Sequence, residues 1–271
     1  MNGKLEAQKT WGASPTGWTS AKDETPGTRA FFDKARAFRD TVEQPWLPEV
    51  VPFHEMAGKQ VLEIGFGPGY DTLKFMQANA VYSGIDITPE NVDRTKKHLA
   101  FFGYEPNVQQ ADAENLPFPD ASFDVVYSNG VLHHVPDMQK AFREARRVLK
   151  PGGEFIILLY NRYSVFYAGA VLVHIASGRF RHETLAQRRS RIESSAANAA
   201  PLVNVYSKRE ITGILAGQGF TTHSIAVRKC TPEDLPGGAR LAAMYRKVPQ
   251  AVYDRLGRAF GWYLVVRATR I

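Results

Sequence analysis

The chain has 271 residues, 44% of them apolar and 23% charged, which suits one large globular domain or one domain carrying an elaborated cap. A single cysteine, Cys230, excludes an internal disulfide framework and a cysteine-rich metal site. The net charge of +7 is uneven. Residues 161–271 hold 17 Lys and Arg against 6 Asp and Glu, whereas residues 1–160 hold 17 against 21. A basic segment of this kind serves either as a solvated face or as a surface for anionic substrate, nucleic acid or membrane.

Residues 1–28 are rich in Gly, Pro, Thr and Trp, show no period and read as an irregular arm. They contain no apolar core of a secretory signal, and no window of the chain holds enough apolar residues to span a bilayer, so a cytoplasmic location is expected. Residues 31–43 have helical apolar spacing at Phe31, Phe32, Ala35 and Phe38, and Pro45 and Pro48 end the helix. QVLEIG (60–65) is a short apolar run closing on glycine, as buried strands do. A helix over 72–80 and a strand over 81–86 follow. Thr88 caps the next helix, with Pro89 at its first position, and the helix runs to Gly103. Strands are expected over 107–112, 123–130 and 154–160, and a helix over 138–153 stopped by Gly152 and Gly153.

Strand and helix thus alternate from 60 to 160, which predicts parallel strands with helices on both faces and ligands at the strands' carboxyl ends. Residues 161–205 break the rhythm. An apolar helix, a basic stretch and a small-residue loop follow one another there, and together they read as an inserted cap. Ser207 and Glu210 then form a capping-box pair opening a helix to about residue 220, and strands over 221–229 and 261–271 complete the sheet.

The densest signal is VLEIGFGPGY. Gly65, Gly67 and Gly69 fall where a strand gives way to a helix. Glycine tolerates positive φ and lets backbone approach a ligand, and the helix start adds amide donors. A dinucleotide fingerprint requires G-x-G-x-x-G. Tyr70 or Thr72 stands at the last position, so that reading fails in this register.

E-x-G-x-G-x-G at Glu63–Gly69 resembles the first motif of class I S-adenosylmethionine (SAM)-dependent methyltransferases. GIDIT around Asp86, ADAENLPF around Asp112, FDVVYSNGVLHHVPD, and LKPGGEFIILLY resemble that family's later motifs, in order, over roughly 58–160. The likeness is to the small-molecule branch related to quinone-biosynthesis methyltransferases. It implies a doubly wound, mostly parallel seven-stranded α/β sheet, a Rossmann-like methyltransferase fold, with a helical cap insert. Together with the chain-order reading, this divides the chain into an N-terminal arm with helices over 1–57, a SAM-binding core over 58–160, a cap over 161–205, and completion of the core sheet over 206–271.

The resemblance further implies a cofactor site at Glu63, Gly65, Phe66, Gly67, Pro68, Gly69, Asp86, Ile87, Asp112, Ala113, Ser128 and Asn129, with S-adenosylhomocysteine as product. Asp86 stands where the family carries an acid for the ribose hydroxyls, and a carboxylate can accept from both at once. Asp71 reads as a helix-start acid favoured by the dipole. His133 and His134 follow the fourth strand, where the family presents groups to the transferring methyl. Either suits a base or an acceptor-positioning role, His133 ahead of His134. Tyr160 and Tyr206 border the expected acceptor pocket, although tyrosines packing the cap account for the same pattern.

No metal site is expected, because His133 stands where some relatives have glutamate. Ser128–Val131 reads SNGV where base-modifying relatives carry N-P-P-aromatic, so a small molecule rather than a nucleic acid is the expected acceptor. The alternatives are a non-catalytic SAM-fold partner subunit and an RNA or protein methyltransferase. Residues 163–182 could touch a membrane surface. The oligomeric state and the acceptor atom are not readable.

Overall fold

The structure is a computed structural model and describes residues 3–178, 181–192, 201–235 and 238–271. Its centre is a seven-stranded sheet of order β3-β2-β1-β4-β5-β7-β6. The strands are β1 (Gln60–Ile64), β2 (Val81–Asp86), β3 (Val108–Gln110), β4 (Phe123–Asn129), β5 (Leu149–Tyr160), β6 (Phe220–Arg228) and β7 (Tyr263–Arg270). The first five are mutually parallel, and β7 runs antiparallel to both β5 and β6.

Strand periodicity divides the apolar residues between two faces. Leu62, Ile64, Val126, Phe155, Ile157 and Leu159 belong to one buried cluster, and Val61, Val125, Tyr127, Ile156 and Leu158 to the other. Both faces are apolar, so both must be covered by helices. The covering helices include α4 (Tyr70–Gln77), α5 (Pro89–Ala100), α6 (Met138–Val148) and α9 (Lys208–Gly217). The Ser207–Glu210 capping box forms in both directions: Glu210 N–H donates to Ser207 Oγ at 3.2 Å, and Ser207 N–H to Glu210 Oε2 at 2.8 Å.

Four expectations change. Residues 3–13 of the arm form a helix, α1 (Gly3–Ala13), and Trp18–Ala21 form a further turn. The helix has no apolar stripe; side chains bonding to distant loops hold it, and these leave no periodic trace. The helix expected over 31–43 is α2 (Arg29–Phe38) followed by a π-helical turn, Arg39–Glu43. Leu149–Gly153 belongs to β5 rather than to the helix before it, with an irregular register opposite Phe123–Val125. Thr88 occupies the cap position but its hydroxyl makes no cap bond; its backbone N–H donates instead to Asp86 Oδ1 at 2.8 Å.

A short helix, α3 (Leu47–Val50), precedes the sheet. Between β5 and α9 lie α7 (Val165–Ala176) and α8 (Leu185–Ile192), and between β6 and β7 lie α10 (Gly238–Tyr245) and α11 (Gln250–Phe260). The small-residue loop expected at 194–201 falls almost wholly outside the described residues.

Candidate active site

The carboxyl ends of β1, β2 and β4 open onto a cleft. The three glycines of the first loop all have positive φ, +79°, +54° and +81°, but for different reasons. A Cβ on Gly65 would collide with Val131, and one on Gly69 would lie 2.8 Å from Thr95. A Cβ on Gly67 would meet nothing within 4 Å, because that residue faces the open cleft. The loop is anchored from behind: Thr95 Oγ1 donates to the Gly67 carbonyl at 2.7 Å, and His98 Nδ1–H to the Pro68 carbonyl at 2.8 Å. Burial lowers the pKa of His98 to about 4.

Asp86 ends β2 inside the cleft wall. It accepts from Gly67 N–H (2.9 Å), Thr88 N–H (2.8 Å) and Asn91 Nδ2 (3.2 Å). Burial raises its pKa and these donors oppose the rise. A carboxylate has about four acceptor sites, so capacity for a further donor is left.

At the other end of the cleft is a buried charge network. Asp71 Oδ2 accepts from Arg39 Nη2 (2.8 Å), Tyr127 Oη (2.8 Å) and Asn129 Nδ2 (2.9 Å). Burial pushes the Asp71 carboxyl up, but Arg39 and Lys74 more than offset this and hold it well below the usual carboxylate range. Glu63 accepts from Tyr82 Oη (2.7 Å) and Thr72 Oγ1 (2.8 Å). Burial, and next the Asp71 charge, push Glu63 up to about 8. Arg39 Nε is buried without an acceptor.

Helix α1 closes the cleft from above. Lys4 Nζ lies 2.6 Å from both Asp112 and Glu114, Gln8 Nε2 donates to the Ile87 carbonyl at 2.9 Å, and the Trp11 ring sits 5.5 Å from that of His134.

Of the residues anticipated from sequence, Glu63, Gly65, Phe66, Gly67, Pro68, Asp86, Ile87, Asp112, Ala113, Asn129 and His134 line this cleft. The others stand behind it. Ser128 is buried and donates its hydroxyl to the Ile64 carbonyl at 3.0 Å. Gly69 packs on Thr95. His133 is fully buried, its ring centroid 3.8 Å from that of Tyr160, with no hydrogen-bond partner for either nitrogen; burial, and secondly His134, push its pKa well down. Tyr160 is itself buried and stacks on Trp262, and Tyr206 is bridged to Asn161.

The order expected of the two histidines is therefore reversed in the geometry. His134 Nδ1 lies 2.6 Å from the Leu202 carbonyl, which can only accept, so Nδ1 carries the proton and a neutral ring has its lone pair at Nε2. Lys4, Arg39 and Asp71 line the cleft as well and were not anticipated as site residues. Arg39 and Lys4 belong to no motif. Asp71 gave one signal, an acid in a segment that had to be buried, which requires a partner. Among the described residues no three His, Cys, Asp or Glu side chains converge as metal ligands would.

A glycine-floored cleft, with an acid at the second strand's end and a parallel sheet beneath it, defines a nucleotide-type site at the sheet's switch point between β1 and β4. Residues 62–157 match the methyltransferase domain family model. Over this segment the chain is thus similar to methyltransferase domains, those of the quinone-biosynthesis methyltransferases among them.

The chain is 40% identical over 104 residues to 27-O-demethylrifamycin SV methyltransferase of Amycolatopsis mediterranei, covering 37% of this chain and 38% of that protein. It is 40% identical over 112 residues to the ubiquinone/menaquinone biosynthesis C-methyltransferase UbiE of Vibrio campbellii, covering 39% and 42%. The match thus spans about two fifths of the length of these curated relatives. In fold the chain is similar to geranyl diphosphate C-methyltransferase of Streptomyces coelicolor, with a TM-score of 0.60 and 16% identity, covering 100% of this chain and 98% of that one.

Proposed function

We propose that the chain transfers the methyl group of SAM to a small-molecule acceptor. The observation that carries this reading is Gly67. Its position has room for a side chain and has none, and that room is the floor of the cleft. The residues fit the cofactor at both ends. Asp86 retains acceptor capacity for a ribose hydroxyl. Arg39, with its orphaned Nε, and the ionised Asp71 offer both signs of charge to the amino-acid zwitterion of the methionine portion, and Glu63 braces this end as a hydrogen-bonding carboxyl.

When bound, SAM supplies a methyl carbon already activated by a cationic sulfur. The chain's own work is alignment and the exclusion of water. Helix α1 and Trp11 cover the cleft. His134 stands at its acceptor side with Nδ1 tied to Leu202, so an acceptor hydroxyl that must be deprotonated gives its proton to Nε2. Leu202, near the far end of the expected cap, holds His134, and Tyr160 and Tyr206 brace that side from behind; among the described residues none of 161–205 lines the cleft itself. SNGV at Ser128–Val131 disfavours a nucleic-acid acceptor. The reading places the protein in the cytoplasm; among the described residues no helix is long and apolar enough to cross a membrane.

Calorimetric titration with SAM and S-adenosylhomocysteine tests the reading. Binding of both is expected. Binding of neither by a folded protein would remove the catalytic reading and favour a partner subunit that keeps only the fold.

A further inference from the structure

Helix α7 is turned inside out for a surface helix. Leu172, Val173 and Ile175 are 62%, 52% and 55% exposed, while His174 between them is 2% exposed. Ala168 and Ala176 are also exposed, and α7 holds no Asp, Glu, Lys or Arg. Single exposed apolar residues are unremarkable, but a contiguous apolar face with the polar residue buried beneath it needs a partner. The patch continues onto α8, where Leu185 is exposed and lines the same hollow as Ile175. Tyr163, also exposed, stands just before α7.

We propose that this face docks on an anionic membrane surface. Charge chooses a bilayer over a second copy of the chain. The segment carrying the patch is basic: residues 161–192 hold 6 Lys and Arg against 1 Asp and Glu. A two-fold dimer through this face would oppose the same basic segment to itself, whereas anionic headgroups complement it. Twelve residues are too few to cross a bilayer but suffice to lie in its interface, with an aromatic residue at the headgroup level.

The root of α7 ties docking to the site. Ser164 caps the helix through Tyr167 N–H, Asn161 Nδ2 donates to the Gly261 carbonyl at 2.9 Å, and Phe166 packs on Trp262, which stacks on Tyr160 at the end of β5. The docked face and the His134 side of the cleft therefore meet at the carboxyl end of β5, where Tyr160 touches both Trp262 and His134. A membrane-dissolved, apolar acceptor would reach the cleft from there. Docking itself does not depend on the methyl-transfer reading.

Sedimentation of the full chain with vesicles, without SAM, tests the proposal. Vesicles of phosphatidylcholine with about one third phosphatidylglycerol, at about 0.1 M salt, are expected to retain the protein, and pure phosphatidylcholine to retain it at least about tenfold more weakly. The double variant Leu172→Glu with Val173→Glu should lose at least about tenfold in binding to the anionic vesicles. Val81→Glu, an equally exposed apolar site at the opposite end of the sheet, should bind as wild type. Wild type that stays in the supernatant overturns the proposal, as does equal binding by the double variant. So does a dimer in analytical ultracentrifugation that the double variant dissociates, which would assign the face to a second copy. SAM titration and circular dichroism of the double variant establish that it is folded, and they separate failure of docking from failure of the methyltransferase reading.

Discussion

Arg39 and Asp71 meet in an ion pair of 2.8 Å whose side chains are only 11% and 3% exposed. One comes from the π-helical turn after α2 and the other from the first turn of α4, so the pair fastens the N-terminal region to the glycine loop. Two charges removed from water this completely are stable only together.

Losing one partner should therefore cost more than losing both. Arg39→Gln is expected to destabilise the fold by about 3–5 kcal/mol in urea unfolding. Adding Asp71→Asn should restore part of that loss. Arg39→Gln should also weaken SAM binding, because Arg39 lines the cleft. A single variant as stable as wild type would dismiss the pair as a structural tie.

The two neighbouring acids should respond to pH with opposite sign. Glu63 has a folded pKa raised to about 8 from an ordinary 4.5, chiefly by burial. Its contribution to stability is fully present below the ordinary value and is lost as pH rises through about 8. Asp71 is depressed, so its contribution is present above its ordinary value of 3.8 and is lost as pH falls. Urea midpoints measured from about pH 5 to about pH 8 should decline in wild type and stay flatter in Glu63→Gln. Parallel profiles would show that Glu63 is ionised in the fold.

Gly67 and Gly65 separate function from packing. Gly67→Arg should remain folded, at a cost of about 1–2 kcal/mol for a side chain at positive φ, while abolishing measurable SAM binding. Gly65→Ala should instead lower stability by about 1–3 kcal/mol or more, because its methyl collides with Val131. Unchanged calorimetric affinity in Gly67→Arg would refute the site.

The two histidines should differ in the same way. His134→Ala is expected to lower turnover by roughly a hundredfold to ten-thousandfold if the acceptor must lose a proton, with SAM affinity unaltered. His133→Phe keeps the ring against Tyr160 and removes two unpartnered buried nitrogens, so it should be neutral or stabilising by about 1 kcal/mol. If His133→Phe impairs turnover more than His134→Ala, the roles are the other way round.

What the sequence determined by itself was local and periodic. Alternating apolar runs set the strands and their two-faced burial, the glycines marked the strand-to-helix loop, and Asp86 was fixed two residues before the cap position of α5. Each depends on neighbours a few residues away, so the pattern is written in the chain. Tertiary structure alone decided what depends on distant segments meeting. Lys4 reaches Asp112 across 108 positions and Arg39 reaches Asp71 across 32, and neither acid announces its partner. That His134 lines the cleft while His133 is buried on Tyr160, and that the His134 ring is tied to the Leu202 carbonyl about seventy residues away, are likewise tertiary facts. Helix α1 eluded periodicity because polar contacts to those loops, rather than an apolar stripe, hold it in place. Burial turns such long-range pairings into strong constraints, since a charge or donor enclosed without its partner is costly, and that cost is assessed only once the chain has folded.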